Sequence, residues 1–323
     1  MRTPFKLAAA CLIAAGLAQP ALAQESPTLK KIKDTGSITL GHRESSIPFS
    51  YYDDKQQVIG YSHEMMLKAV DAIKAELKLA KLDVKLMPVT SANRITLLQN
   101  GTVDMECGST TNNLERQKQV DFSVGIFEVG TRLLTKKTSG VADFPDLKGK
   151  NVVTTAGTTS ERLLKAMNAE KQMGMNIISA KDHGESFLTL ETGRAVAFMM
   201  DDALLYGEMA KAKKPGDWVV VGTAQSKEAY GCMLRKDDAG FKKVVDAALT
   251  KAMTSGEAEK IYNKWFMSPI PPKNVNMNFT MSDNLKNLLA NPHDGAQPHA
   301  VTAVASNVSK AIASGVAAAS VTK

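Results

Sequence analysis

Aromatic side chains are scarce in this chain: Phe, Trp and Tyr together make up 6% of its 323 residues. Basic residues are not interleaved with them. The surplus of 40 Lys and Arg over 33 Asp and Glu therefore does not read as a nucleic-acid surface. It suits an anionic small ligand, or simply a lysine-rich solvated surface. There is no G-x-x-x-x-G-K-[ST] loop to cradle phosphates and no G-x-G-x-x-G after a strand. Gly60-Tyr61-Ser62-His63-Glu64 lacks the second glycine of a nucleophile elbow. The five histidines show no H-E-x-x-H spacing, and neither a metal nor a cofactor is expected. Three cysteines are too few for a disulfide-dense scaffold. No segment carries the roughly 20 consecutive apolar residues of a membrane span.

What is present begins with a leader. Arg2 and Lys6 form a short basic region, Leu7 to about Leu17 is apolar, and Ala21-Leu22-Ala23 precedes Gln24. That is the pattern of a signal peptide cleaved after Ala23, so residues 1–23 are expected to be removed and the remainder exported as a soluble protein. Cys11 leaves with the leader. Cys107 and Cys232 remain, to form one disulfide in an oxidising compartment or to stay as two separately buried thiols.

The composition, 44% hydrophobic and 23% charged, is that of a globular protein, and the length points to two domains. Strand-like runs alternate with amphipathic helical runs. Strands are expected at Ser37–Gly41, Val84–Val89, Val103–Cys107, Gln119–Ser123 and Arg132–Lys136. A helix is expected at Tyr61–Leu79, and a short one capped by Ser91 and closed by Gly101. The pattern restarts with a strand at Asn151–Thr155 and a helix at Thr159–Ala169. A strand at Asn176–Ala180 precedes a helix capped by Asp182. The strand Ala195–Asp201 leads into a helix from Ala203. Strands at Trp218–Gly222 and Gly231–Arg235 precede helices Ala239–Thr254 and Gly256–Phe266. This order predicts an α/β fold with mostly parallel sheets. Residues Asn291–Lys323 contain no aromatic residue, are dominated by Ala, Ser, Val and Thr, and are expected to form a mobile tail.

Cationic and hydroxyl residues cluster where strands end or helices begin, the places where open α/β sheets bind ligands. Arg43 follows the first strand, and Arg94 lies just beyond the next, beside Ser91. Ser109, Thr110 and Thr111 follow Cys107, with Arg116 one turn on. Thr158, Thr159 and Ser160 open one helix and His183 another, and Asp201 ends a buried strand. Each has a bland reading as a solvated charge or a helix cap. Together they describe an anion site, since the planar guanidinium fork matches carboxylates and helix N-termini add free N–H groups. An acid among them suits an ammonium.

Several stretches carry a family resemblance: GHRESSIPFSYYD (41–53), TSANRITLLQNG (90–101), ECGSTTNNLERQK (106–118), SAKDHGESFLTLETGRAVAFMMDDALL (179–205), EAYGCMLRKDD (228–238) and SPIPPKNVNMNF (268–279). The chain from about Leu29 to Pro292 resembles the periplasmic solute-binding proteins of polar amino-acid ABC transporters, most specifically the acidic-amino-acid subgroup. Ser62 departs from the family's usual acid in that helix start. The resemblance implies a type II periplasmic binding protein with two lobes and two crossing strands. Lobe 1 would be residues 24–129 plus 224–291, lobe 2 residues 130–223, and 292–323 the tail. A Cys107–Cys232 disulfide would then brace the base of the hinge.

The resemblance also implies roles. Arg116, helped by Thr159, would hold an α-carboxylate. Asp201 would accept from the α-ammonium, with Ser109 and Thr111 contributing. Arg43, Arg94, Ser91 and His183 would receive a side-chain carboxylate. The implied ligand is L-glutamate or L-aspartate, and the implied partners are the permease subunits of an inner-membrane importer, with the protein acting as a monomer. Rival readings are a glutamine- or asparagine-binding protein and a sensory ligand-binding module. A dehydratase-type enzyme on the same fold would use Glu64, Asp202 or His183 as acid and base.

Overall fold

The structure is a computed structural model, described here over residues 26–296. The leader, and residues 297–323 of the tail, lie outside the described residues. Among the described residues no helix is long and apolar enough to cross a membrane. Helix α1 (Pro27–Thr35) opens the chain, with Ser26 capping it by accepting from the Leu29 N–H. Then come β1 (Ser37–His42), α2 (Tyr61–Glu76), β2 (Asp83–Pro88), α3 (Arg94–Gln99), β3 (Met105–Glu106) and β4 (Asp121–Val129). The chain passes through Gly130 directly into β5 (Thr131–Lys136). There follow β6 (Asn151–Thr155), α4 (Thr159–Glu170), β7 (Asn176–Ala180), α5 (His183–Glu191), β8 (Ala197–Asp201), α6 (Asp202–Lys211) and β9 (Trp218–Val221). It returns through β10 (Glu228–Leu234) to α7 (Ala239–Thr254), α8 (Glu257–Phe266) and α9 (Asp283–Ala290).

Two five-stranded sheets result, ordered β2-β1-β3-β10-β4 and β7-β6-β8-β5-β9. Each has three parallel strands on one side and two antiparallel strands on the other. The expected parallel character therefore holds for half the pairings. The antiparallel half comes from the strands that connect the sheets: β4 and β10 lie side by side, with Glu228 opposite Val129. These strands outrun the sequence expectation, which stopped the first at Ser123 and began the second at Gly231. β10 is buried along its whole length and β4 at six of its nine residues, so neither shows the regular apolar–polar alternation that marks a strand.

Helix α2 forms for the expected reason. Met65, Met66, Ala69, Val70 and Ile73 recur at helical spacing and are buried. Ser62, the departure from the family pattern, donates its hydroxyl to the Gly108 carbonyl at 2.8 Å. Ser91 does not cap α3: the helix starts at Arg94, Asn93 holds the cap position, and no side chain caps it. Asp182 caps α5 as expected, accepting from the Glu185 N–H. Helix α9 was not foreseen. Ser282 caps it, and Leu285, Leu288 and Leu289 bury its apolar face.

The first body is centred on a ring cluster, in which Phe49, Tyr61, Phe127, Tyr230, Tyr262 and Phe266 pack at centroid separations of 4.6–6.5 Å. The second has a separate, mostly aliphatic and Met-rich cluster, including Leu133, Val152, Leu164, Met167 and Met199. Cys107 and Cys232 form a disulfide with Cα atoms 4.3 Å apart. It ties the end of β3 to β10 within the first sheet. The described start of the tail is held, not free: the Gly125 N–H donates to the His293 carbonyl at 2.9 Å, and Gln117 Nε2 donates to the Asp294 carboxylate at 3.0 Å.

Candidate functional site

The carboxyl ends of the parallel strands of both sheets face one another. From the first body, Arg43 follows β1, Arg94 opens α3 after β2, and the 108–116 loop follows β3. From the second, Thr159 opens α4 after β6, His183 opens α5 after β7, and Asp201 ends β8. All nine side chains singled out in the sequence are buried here, at 7% exposure or less. The bodies are closed on each other. The Gly184 N–H donates to Ser45 Oγ at 3.2 Å, and Arg116 Nη2 reaches the Gly157 carbonyl at 3.4 Å. Gly157 lies so near Ala92 that a Cβ there would stand 2.6 Å from the Ala92 Cα, and its φ of +76° also favours glycine.

The arginines form a pair and a single. Arg43 Nη1 donates to Ser109 Oγ at 3.4 Å, and Arg94 Nη1 donates to the Ser109 carbonyl at 3.2 Å, so both lean on one residue. Arg94 also donates to Thr110 Oγ1, which donates in turn to Glu106 Oε2 at 2.7 Å. The Nε of Arg94 is buried without a hydrogen-bond partner among the described residues, as are Ser91 Oγ and His183 Nε2. Arg116 Nη1 donates to the Thr111 carbonyl at 2.7 Å. Burial and the neighbouring Arg94 push Arg43 down to about 10. Burial, Arg94 and Arg162 push Arg116 down to about 9. Both remain cationic at neutral pH. Burial, then Arg43, Arg94 and Lys211, hold His183 well below its usual value, so its ring is neutral. Its Nδ1 lies 2.9 Å from Thr155 Oγ1. When Thr155 donates to Nδ1, Nε2 carries the proton and serves as a donor.

The acidic side is equally dry. Asp201 sits at the cap position of α6 but its carboxylate makes no capping bond. It accepts from Thr131 Oγ1 at 3.1 Å, from Ser160 Oγ at 3.4 Å and from the Tyr230 hydroxyl of the first body. Burial, then Glu228, raise its carboxyl to about 7. Glu228 lies outside the set of residues expected at the site. Its Oε2 accepts from both Thr111 Oγ1 and Thr159 Oγ1, the latter at 2.7 Å, and its Oε1 from Ser226 Oγ at 3.0 Å. The Thr159 hydroxyl, expected to help Arg116, is thus committed to an acid. The signal was available: Glu228 begins the run EAYGCML, where every residue is buried, and an acid in such a run needs a reason.

Among the described residues, none of Arg43, Arg94, Arg116, Asp201 and Glu228 makes an ion pair within 4 Å. Buried charges are ordinarily paired. This arrangement presents three buried guanidinium groups, held mainly by hydroxyls and carbonyls, with Glu106 buried behind Arg94 and Thr110 and with Asp201 and Glu228 held by hydroxyls. It can receive a molecule bearing two anionic groups and one cationic group.

Comparison with known proteins agrees with that chemistry. Residues 38–268 match the family of bacterial extracellular solute-binding proteins, family 3. The chain is 69% identical over 298 residues to the L-glutamate/L-aspartate-binding protein of Pseudomonas aeruginosa, covering 92% of this chain and 99% of that one. It is 60% identical, with the same coverage, to the glutamate/aspartate import solute-binding protein of Escherichia coli. Among solved structures, an ancestral arginine-binding protein bound to arginine superposes with a TM-score of 0.64 at 29% identity, over 72% of this chain and 98% of its own. The P235GK mutant of ArgBP from T. maritima has a TM-score of 0.65 at 24% identity, over 74% and 98%.

Proposed function

Because the chain belongs to the bacterial extracellular solute-binding proteins, family 3, we propose that it is the periplasmic binding component of an ABC importer for L-glutamate and L-aspartate. The observation that carries this reading is the set of three buried arginines, none in an ion pair, together with the buried carboxylate of Asp201 at a strand end. Two carboxylates and an ammonium are complementary in sign to these groups. Arg116 takes the α-carboxylate. Asp201 accepts from the α-ammonium, with Ser109 and Thr111 beside it. Arg43 and Arg94, joined through Ser109, take the side-chain carboxylate together with Ser91 Oγ and the neutral His183 ring.

The lobes are residues 24–129 with 224–291, and residues 130–223. They are joined at 129–131 and 222–228. Ligand contacts both only when they are closed, so binding shifts the population toward closure. The closed form is what the membrane permease subunits recognise. The leader directs the chain to the periplasm, where it works as a monomer.

The test is isothermal titration of the ligand-stripped protein beginning at Gln24 with L-glutamate, L-aspartate, L-glutamine and L-asparagine. The acids bind, and the amides bind at least about a hundredfold more weakly, because an amide leaves a buried guanidinium without its counter-charge. Equal binding of acids and amides would remove Arg43, Arg94 and His183 from the pocket.

A further inference from the structure

Asp294 lies beyond the last helix, yet its carboxylate accepts from two side chains of one loop in the first body. Asn112 Nδ2 donates to Oδ1, and Gln117 Nε2 donates to Oδ2 at 3.0 Å. Gln117 Nε2 also donates to Asn112 Oδ1 at 3.0 Å, so the three side chains close a small ring of hydrogen bonds. Asn112 and Gln117 are the two ends of the turn that carries Arg116. Inside that turn the Arg116 N–H donates to Asn113 Oδ1 at 2.9 Å, and the Gln117 N–H to the Asn113 carbonyl at 3.0 Å. The Arg116 guanidinium rests on the carbonyl of Thr111, the residue just before Asn112. The clamp is itself anchored. The His293 carbonyl accepts from the Gly125 N–H of β4, and Gly295 lies so near β10 that a Cβ there would stand 2.5 Å from the Ala229 Cβ. The same Ala229 accepts, through its carbonyl, from the Asn112 N–H at 2.8 Å.

We propose that Asp294 is a positioning residue for Arg116: one carboxylate clamps both ends of its turn and so presets the guanidinium for a ligand carboxylate. This rests on the reading of Arg116 given above. Without Asp294 the buried Asn112 amide loses its charged partner and the two ends of the turn are no longer tied through one group. Ordering Arg116 then becomes part of the cost of binding.

The experiment uses the protein beginning at Gln24 with its C-terminus intact, and thermal unfolding controls for folding. Asp294→Ala binds L-glutamate about five- to thirtyfold more weakly by calorimetry. Gly295→Ala, which keeps the carboxylate but lifts its backbone off Ala229, weakens binding in the same direction. Asp294→Asn retains an oxygen acceptor and stays within about threefold of wild type. Amide hydrogen exchange of Arg116, Gln117 and Val120 speeds up in Asp294→Ala. In an Arg116→Ala background, titrated at higher ligand concentration, Asp294→Ala adds less than about twofold to the loss. Unchanged affinity or unchanged exchange in Asp294→Ala would overturn the proposal, and so would losses that multiply in the Arg116→Ala background. Wild type that fails to bind L-glutamate would defeat the functional reading instead, while the exchange rates would still decide whether Asp294 holds the turn.

Discussion

The two bodies share one strand order and differ in what they bring to the cleft. The first supplies all three buried arginines, Glu228 and the disulfide, on a core of stacked and edge-on rings. The second supplies a neutral imidazole, one acid, hydroxyls and two helix starts; part of its core is aliphatic and Met-rich, and the rest, with Phe187, Phe198 and Trp218, is continuous with the core of the first. Equivalent scaffolds have thus been given unequal charge. The buried positive charge lies in the first body, where Ser109, Thr110 and the Thr111 carbonyl hold the guanidinium groups. The second body meets it through contacts such as Gly184 N–H to Ser45 Oγ and Thr159 Oγ1 to Glu228.

The comparison breaks most visibly at Arg94. Arg94→Ala removes a buried cation that the proposed ligand carboxylate would face, a loss of about 3–5 kcal/mol, or about a hundred- to several thousandfold in L-glutamate affinity. Thermal stability of the ligand-free protein falls far less than ligand affinity, because removing a buried cation that has no ion pair offsets part of the loss of its bonds to Ser109 and Thr110. Calorimetry that finds unchanged affinity would return Arg94 to a structural role.

The covalent tie is a property of the first lobe alone, so its removal should cost stability and spare recognition. Replacing Cys107 and Cys232 together by Ser opens a link spanning 125 residues and lowers stability by about 2–4 kcal/mol. Denaturant unfolding measures this. L-Glutamate affinity changes by less than about threefold. Full reaction of both thiols with a thiol reagent in the oxidised native protein would contradict the disulfide directly.

The second lobe's acid gives the next effect. Asp201 is raised from 3.8 to about 7 by burial and by Glu228. An acid with a higher pKa folded than unfolded makes the folded state bind the extra proton. Its contribution to the stability of the ligand-free protein is therefore fully present below about pH 4 and lost as the pH rises to about 7. Ligand ammonium favours the ionised form. L-Glutamate affinity then rises from pH 5 to 7, by at most about tenfold per unit, and levels off above. Titrations in buffers of different ionisation enthalpy register the released proton, and Asp201→Asn abolishes the slope. Burial and the surrounding cations hold His183 well below its usual value, so it is not the source of a rise near neutral pH.

The smallest effect is at the rim. Arg162 Nη1 and Glu115 Oε2 meet at 3.0 Å across the lobes, with both side chains more than a third exposed. Arg162→Ala is worth about 0.2–1 kcal/mol, less than about fivefold in affinity, and the difference shrinks in salt. A larger, salt-resistant effect would mean that the pair contributes to ligand affinity beyond an exposed ion pair.

Some of this site was legible in the residues themselves. Arginines and hydroxyls at the ends of predicted strands are visible without a structure, because strand ends and helix starts leave punctuation in the sequence: Asp182 before α5, Thr158 before α4, Gly193 after α5. Ser91 shows where that reading fails. A serine near a helix start reads as a cap, but the helix begins three residues later and its hydroxyl stays buried without a partner. Glu228 and the long connecting strands were passed over for a related reason. A strand covered on both faces leaves no periodic mark, and an acid within it reveals its purpose only beside the threonines that approach it.

The sequence by itself carried the pattern of a leader, the alternation of strands and helices, the residue types of the buried polar cluster and the two cysteines, Cys107 and Cys232, that lie beyond that leader. Those are local properties, written in periodicity, caps and spacing. Tertiary structure decided that the two sheets close on each other and that β4 and β10 run side by side between them. It also decided that Arg43 and Arg94 share Ser109, and that threonines 48 positions apart give their protons to one oxygen of Glu228. Such pairings depend on which chain segments meet when the core is buried, and distance along the chain carries no record of them.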